Sequence, residues 1–199
     1  MPLWTQTGSP HPGYVAGRYY TYPGSVTNQT LALVENTLYF QPFYSPTPMA
    51  IDRFAFAITT GAGAAENEVR TGVYGTSNGR PGSRLIDNGR TVVGTGTGNT
   101  TVTMSLTLPA GWSWLAIISN RAAGAGATQP TLRAWANEIR SDLGISVYGA
   151  SVPDAASIAG TIVSNAETVG TWATYTLPAT ATSAVTEAQI FPALWVRAA

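Results

Sequence analysis

Between residues 49 and 119 the chain alternates bulky apolar side chains with small or polar ones, in short segments separated by Gly- and Pro-rich turns. In residues 49–59, Ile51, Phe54, Phe56 and Ile58 form most of one face. Residues 100–108 alternate more cleanly, with Val102, Met104, Leu106 and Leu108 on one side. A period of two is that of an extended strand with one face in the core and one in solvent. Residues 112–119 (Trp-Ser-Trp-Leu-Ala-Ile-Ile-Ser) are nearly apolar throughout, which fits a central strand covered on both faces.

The segments between these strands carry turn chemistry. Asn78-Gly79 and Pro81-Gly82 punctuate residues 75–82, and Pro109-Ala-Gly111 forms a second turn. Asn88-Gly89, between residues 84–87 and 91–93, has the signature of a type I′ hairpin. Further strands are expected within residues 30–40, 68–74, 171–177 and 189–196, the last interrupted or at an edge because of Pro192. Two stretches fit helices instead. In residues 131–140, Leu132, Trp135 and Ile139 recur at helical spacing, and Asp154 is a candidate N-cap for residues 154–159. Many short strands between Gly/Pro turns predict an all-β fold. The expected form is an antiparallel, jelly-roll-like β-sandwich with at most one or two short helices. Residues 1–13, with three prolines and no periodicity, read as an extended N-terminal arm, and residues 14–199 as the sandwich domain.

Composition narrows the function. Charged residues make up 10% of the chain, against roughly 25% in an ordinary soluble domain. All ten basic residues are arginines, balanced by ten acids to a net charge of +0. Missing lysine fits a GC-rich genome. Scarce total charge is better explained by a surface covered by neighbours in an assembly. Ten scattered arginines do not make the basic stripe that nucleic acid requires. No apolar run is long enough to cross a bilayer as a helix, and the first residues lack the pattern of a signal peptide.

Catalytic signatures are scarce. Without cysteine there is no thiol nucleophile, disulfide or zinc finger. The one histidine, His11, lies between two prolines in the arm, a poor place to hold a general base. Glu66, Glu68, Asp87 and Asn88 offer oxygen ligands for a structural Ca²⁺, but their pattern reads more simply as a solvated loop and a turn, so no cofactor or metal is expected. Gly94-Thr-Gly-Thr-Gly98 lacks the lysine and helix of a phosphate loop. Asn28-Gln-Thr30 and Asn99-Thr-Thr101 match glycosylation sequons, read here as chance. Aromatic residues concentrate around Tyr19-Tyr20-Thr21-Tyr22 and Tyr39-Phe40-Gln41-Pro42-Phe43-Tyr44. They fit sheet packing, a subunit interface or a sugar-binding face.

One ordered set of motifs resembles a known family. It comprises Ile51-Asp-Arg-Phe-Ala-Phe-Ala-Ile-Thr-Thr60, Val69-Arg-Thr-Gly-Val-Tyr74, Asn78-Gly-Arg-Pro-Gly82 and Leu108-Pro-Ala-Gly-Trp-Ser-Trp-Leu-Ala116. Together these resemble a jelly-roll-like module of tailed-bacteriophage virion proteins of the minor-tail or tail-fibre type. The similarity covers residues 17–120 and, more loosely, Pro192-Ala-Leu-Trp-Val-Arg197. The resemblance implies a non-enzymatic, often trimeric virion surface protein, assembled in the host cytoplasm beside other virion proteins.

Three functions follow as expectations. The first is a tail-associated protein that binds a host-surface glycan through loops at one end of the sandwich. Tyr74, Asn78, Arg80, Tyr19 and Tyr22 are its candidate ligand residues, and Trp4, His11, Tyr14 and Tyr44 its candidate assembly contacts. The second is a decoration or cement protein of the capsid. The third, a glycan-degrading enzyme, requires two carboxylates about 5–9.5 Å apart across a cleft.

Overall fold

The computed structural model describes residues 13–21, 26–35, 37–65, 67–120, 128–137, 161–164, 176–181, 185–188 and 190–199. Among them are thirteen strands and no helix. In chain order these are β1 (Tyr19–Tyr20), β2 (Val26–Ala32), β3 (Leu38–Ser45), β4 (Met49–Thr60), β5 (Glu68–Ser77), β6 (Arg80–Val92) and β7 (Gly98–Leu108). They continue with β8 (Gly111–Asn120), β9 (Thr131–Asn137), β10 (Thr161–Ser164), β11 (Val185–Ala188), β12 (Ile190–Pro192) and β13 (Leu194–Ala198).

The strands form two antiparallel sheets packed as a sandwich. One has the order β11-β10-β3-β8-β5-β6. The other is built around β4, which pairs with β7 on one edge and with β13 and then β9 on the other. Beyond β13 lies β1, and β9 also pairs with β2 and β12. The chain passes from one sheet to the other between β2 and β3, β3 and β4, β4 and β5, β6 and β7, β7 and β8, β8 and β9, β9 and β10, and β11 and β12. This alternation, with strands distant in sequence lying side by side, gives the jelly-roll-like character.

Alternation places the core as expected. Phe54, Phe56, Ile58, Val102, Met104, Leu194 and Val196 face Tyr39, Phe43, Val69, Val73, Leu115 and Ile117 from the opposite sheet. Ile51 and Phe54 share this face although three residues apart, because the register shifts there. Opposite β13, Asp52 is the extra residue in β4. Such a bulge restores the inward set and re-aims one side chain. β8 lies between β3 and β5, covered on both faces.

Three sequence expectations are corrected. Residues 131–137 form strand β9, not a helix: Leu132 and Ala134 are buried while Arg133 and Trp135 point outward. All seven residues of β9 pair with β2, and this tertiary pairing outweighs a helical periodicity carried by so few residues. Residues 138–140 and 154–159 lie outside the described residues, as do residues 1–12 of the arm. Asn88-Gly89 is not a hairpin turn. Asn88 and Gly89 together oppose Thr71 as a bulge inside β6, with Gly89 at φ 76° and the Asn88 amide donating to Thr71 Oγ1 at 3.1 Å. The real β5–β6 turn is Asn78-Gly79, with φ of 51° and 75°, as a type I′ turn requires. Finally, residues 30–40 are not one strand. The chain leaves β2 and enters β3 in the other sheet, anchored by buried Leu33 and by the Val34 N–H donating to the Tyr39 hydroxyl at 3.1 Å.

In the region expected to form a late strand, residues 171–175 lie outside the described residues, and Thr176 and Leu177 are not in a strand. Residues 176–181 instead form a strap over the outer face of the six-stranded sheet. Leu177 packs there with Leu38, Phe40, Tyr74, Trp114 and Ile118 in a second apolar cluster. Its N–H donates to Asp87 Oδ2 at 2.9 Å, and its carbonyl accepts from Arg84. Gly72 leaves the space that Leu177 fills; a Cβ there would collide with Leu177 and the Ile86 carbonyl. The break expected at Pro192 is present, with Ala193 separating β12 from β13.

Candidate functional site

The outer face of the seven-stranded sheet is where exposed aromatic residues meet a concave surface. Its construction follows from the same alternation. In β4 the residues that alternate with core Phe54, Phe56 and Ile58 are Ala55 and Ala57, both small and buried. In β13 the outward residues are Trp195 and Arg197, flanked by inward Leu194, Val196 and Ala198. Trp195 lies opposite Ala55, and Ala55 lies opposite Thr101 on β7. A small residue between a Trp and a Thr leaves a trough, with Ala55 as its floor. Tyr19 on β1 closes one end, opposite Arg197 and 43% exposed. The resulting groove has a volume of about 290 Å³ and is lined by Tyr19, Ala55, Phe56, Asn99, Thr101 and Trp195.

The walls are held in place. Arg197 donates through Nε to Asp52 Oδ1 at 2.8 Å and through a terminal nitrogen to Oδ2 at 2.5 Å, a bidentate pair. The hydrogen bond from Arg197 holds the Asp52 carboxyl below its usual range, outweighing partial desolvation, with the charges of Arg197 and Arg53 adding to it. Arg53 donates to the Asp52 carbonyl at 2.8 Å. The bulge thus supplies the carboxylate that fixes the arginine beside Tyr19. On the other side, Trp195 meets Trp135 edge-on, with ring centroids 6.0 Å apart. The Trp135 indole nitrogen is buried and has no hydrogen-bond partner among the described residues.

Chemically, the groove offers flat apolar rings beside an amide and a hydroxyl. Sugars present the complementary surface: C–H faces that stack on aromatic rings, and hydroxyls that pair with amides. No carboxylate is among the described residues that line it. Elsewhere, Asp87 pairs with Arg70 and Arg84, and Glu68 with Arg90. Among the described residues no group of three or more His, Cys, Asp and Glu could hold a metal.

The ligand residues expected from sequence do not converge. Tyr19 lines the groove, but Asn78 and Arg80 lie at the β5–β6 turn in the other sheet. Tyr74 is fully buried in the outer cluster, edge-on to Phe40 at 5.2 Å, with its hydroxyl donating to the Pro178 carbonyl at 2.9 Å. Its ring is engaged in packing because the strap covers that face. Tyr22 lies outside the described residues, as do Trp4 and His11. The other two assembly candidates are brought together: the Tyr14 hydroxyl donates to the Tyr44 carbonyl at 3.2 Å. Tyr14 also meets Tyr20 edge-on at 4.8 Å, and Tyr44 lies 5.0 Å from Trp112. Burial raises the Tyr14 hydroxyl above its usual titration range, opposed by a hydrogen bond with Ser45.

Sequence reasoning missed Trp195, Trp135, Asn99 and Thr101. The signal was present for Trp195, because Leu194-Trp-Val-Arg-Ala198 alternates and so puts Trp and Arg outward. Nothing local could place Asn99 and Thr101 beside it.

No family model matches the sequence, and no curated protein does. The structure is similar to that of the cysteine protease and lectin-like domains of Cwp84, a surface layer associated protein of Clostridium difficile. That similarity has a TM-score of 0.45 at 16% identity, over 86% of this chain and 36% of that one. A clostridial Cwp84 cysteine protease after propeptide cleavage gives 0.46 and 16%, over 91% and 40%. The chain therefore spans well under half the length of these solved chains.

Proposed function

We propose that the chain is a non-enzymatic glycan-binding protein of a bacteriophage virion, tail-associated and acting in adsorption to the host surface. The observation that carries the binding role is the groove in which Tyr19 and Trp195 stand over Ala55 beside Asn99 and Thr101. The virion setting rests on the sequence motifs and the scarcity of surface charge. The groove moves the proposed contact from the loops at one end of the sandwich to a sheet face, where rigid strands hold the rings in place.

A glycan array probed with the intact protein, followed by calorimetry on the best binder, tests this. Trp195→Ala should weaken binding about 30-fold, the effect of losing a central aromatic contact of ~2 kcal/mol. Absence of binding to any glycan and to host cells would sink the reading. A capsid-decoration role is favoured instead by the aromatic end formed by Tyr14, Tyr20, Tyr44 and Trp112, a composition suited to subunit contacts. Copy number separates the two: hundreds per virion for decoration, a few to a few tens for a tail protein.

A further inference from the structure

A second concavity lies on the same sheet face as the aromatic groove. It has a volume of about 240 Å³ and is lined by Asn28, Gln29, Thr30, Thr59 and Arg133. The strand register explains why these residues meet. Asn28 lies opposite Trp135 and Thr30 opposite Arg133, so the four share the outer face of β2 and β9. Thr59 joins them from β4, where the register shifts between Ile58 and Thr60, and its hydroxyl donates to the Thr131 carbonyl at 3.1 Å.

The charge on this face is unevenly matched. Arg197 is held by the Asp52 carboxylate, and Arg53 by the Asp52 carbonyl. The Arg133 guanidinium has no hydrogen bond or ion pair among the described residues, and the residue is exposed; only its backbone is engaged, as in the Ala193 N–H donating to its carbonyl. Its surroundings in the concavity are amides and hydroxyls, which neither neutralise it nor repel an anion. A guanidinium presents a planar fork of donors that matches a carboxylate or a phosphate in two parallel hydrogen bonds.

The two concavities lie on one sheet face, with Trp135 between them. Trp135 stands two residues from Arg133 on the same face of β9, and its ring meets that of Trp195, which lines the aromatic groove. Along β4 the distance from Ala55 to Thr59 is about 13 Å, at ~3.3 Å per residue. A ligand filling both must be longer than one sugar ring. It would stack on Tyr19 and Trp195 at one end and place an anionic group at Arg133 at the other.

We propose that the face selects acidic glycans, with Arg133 as the subsite for a sugar bearing a carboxylate or phosphate. This rests on the glycan-binding reading above and names its ligand class. The test uses the full chain and three probes: a uronic-acid oligosaccharide, the same oligosaccharide methyl-esterified, and a phosphorylated oligosaccharide. The parent should bind at least one anionic probe about 10-fold more tightly than the neutral ester, and the preference should shrink as salt is raised. The better anionic probe shows which anion the subsite prefers. Arg133→Ala, an exposed change, should erase the preference between acid and ester. Trp195→Ala should weaken the ester and the acids alike. Equal affinity of the parent for acid and ester overturns the acidic-glycan inference alone, as does a preference that survives Arg133→Ala. Absence of binding to all three probes, and to a wider array, overturns the glycan-binding reading with it.

Discussion

Asp52 shows how one residue serves both fold and site. As the extra residue of β4 opposite β13 it lets Ile51 and Phe54 face the same core, and its carboxylate fixes Arg197 beside Tyr19. Its folded-state pKa is lowered, chiefly by the Arg197 hydrogen bond. A depressed carboxyl pKa adds stability above the unfolded value of about 3.9, and loses it as pH falls through the folded value. Thermal melts from pH 7 to 2 should therefore show an acid limb below about pH 4 that is shallower in Asp52→Asn. The pair is partly exposed, so the difference between the two proteins should be modest. Phe54 is a simpler case. It is fully buried between the sheets, and Phe54→Ala should cost about 3–5 kcal/mol by chemical denaturation. Trp135 opposes stability and function to each other. Its indole nitrogen is buried without a partner among the described residues, so Trp135→Phe removes an uncompensated donor while losing some ring area. Stability should stay within about 1 kcal/mol of the parent, whereas glycan affinity should fall.

Among the elements, β4, β7 and β8 were readable from the sequence, because in each the periodicity records burial directly. In β4 and β7 one face is buried, and in β8 both are. The β5–β6 turn was readable because Asn78 and Gly79 both require positive φ. Asn88-Gly89 carries the same local signal and makes a bulge, since β6 continues through it along β5. Only the partner strand distinguishes a turn from a bulge at such a pair. β9 was misread because Leu132 and Trp135 stand at a helical interval, although in the strand they face opposite sides of the sheet. The strap at 176–181 was not legible, as nothing local distinguishes Leu177 from the end of the strand expected over 171–177. Its importance comes from Gly72 beneath it and Asp87 and Arg84 beside it. Leu177→Ala should destabilise by about 2–5 kcal/mol. It should also raise amide exchange in Tyr74 and its neighbours before the rest of the sandwich opens.

For the whole molecule, the scarcity of charge now has a location. On the outer face of the seven-stranded sheet Asp52 engages two of the arginines and leaves Arg133 to the concavity beside β2. A near-neutral surface with an aromatic end around Tyr14 and Tyr44 suits a chain that associates. Light scattering of the purified protein should give a trimer; a monomer at all concentrations would remove that expectation. The sequence by itself determined that the chain is a β-sandwich and which residues of β4 and β7 face its core. Alternation and turn chemistry are local properties, and burial on one face leaves its period in the order of side chains. What the tertiary structure alone decided is the proposed binding face. Tyr19, Ala55, Thr101 and Trp195 are far apart in the chain and meet only because β1, β13, β4 and β7 lie side by side. Likewise the strap at 176–181 removed Tyr74 from the surface, and the pairing of β9 with β2 brought Arg133 to it, because register, not residue type, sets which face of a strand meets solvent.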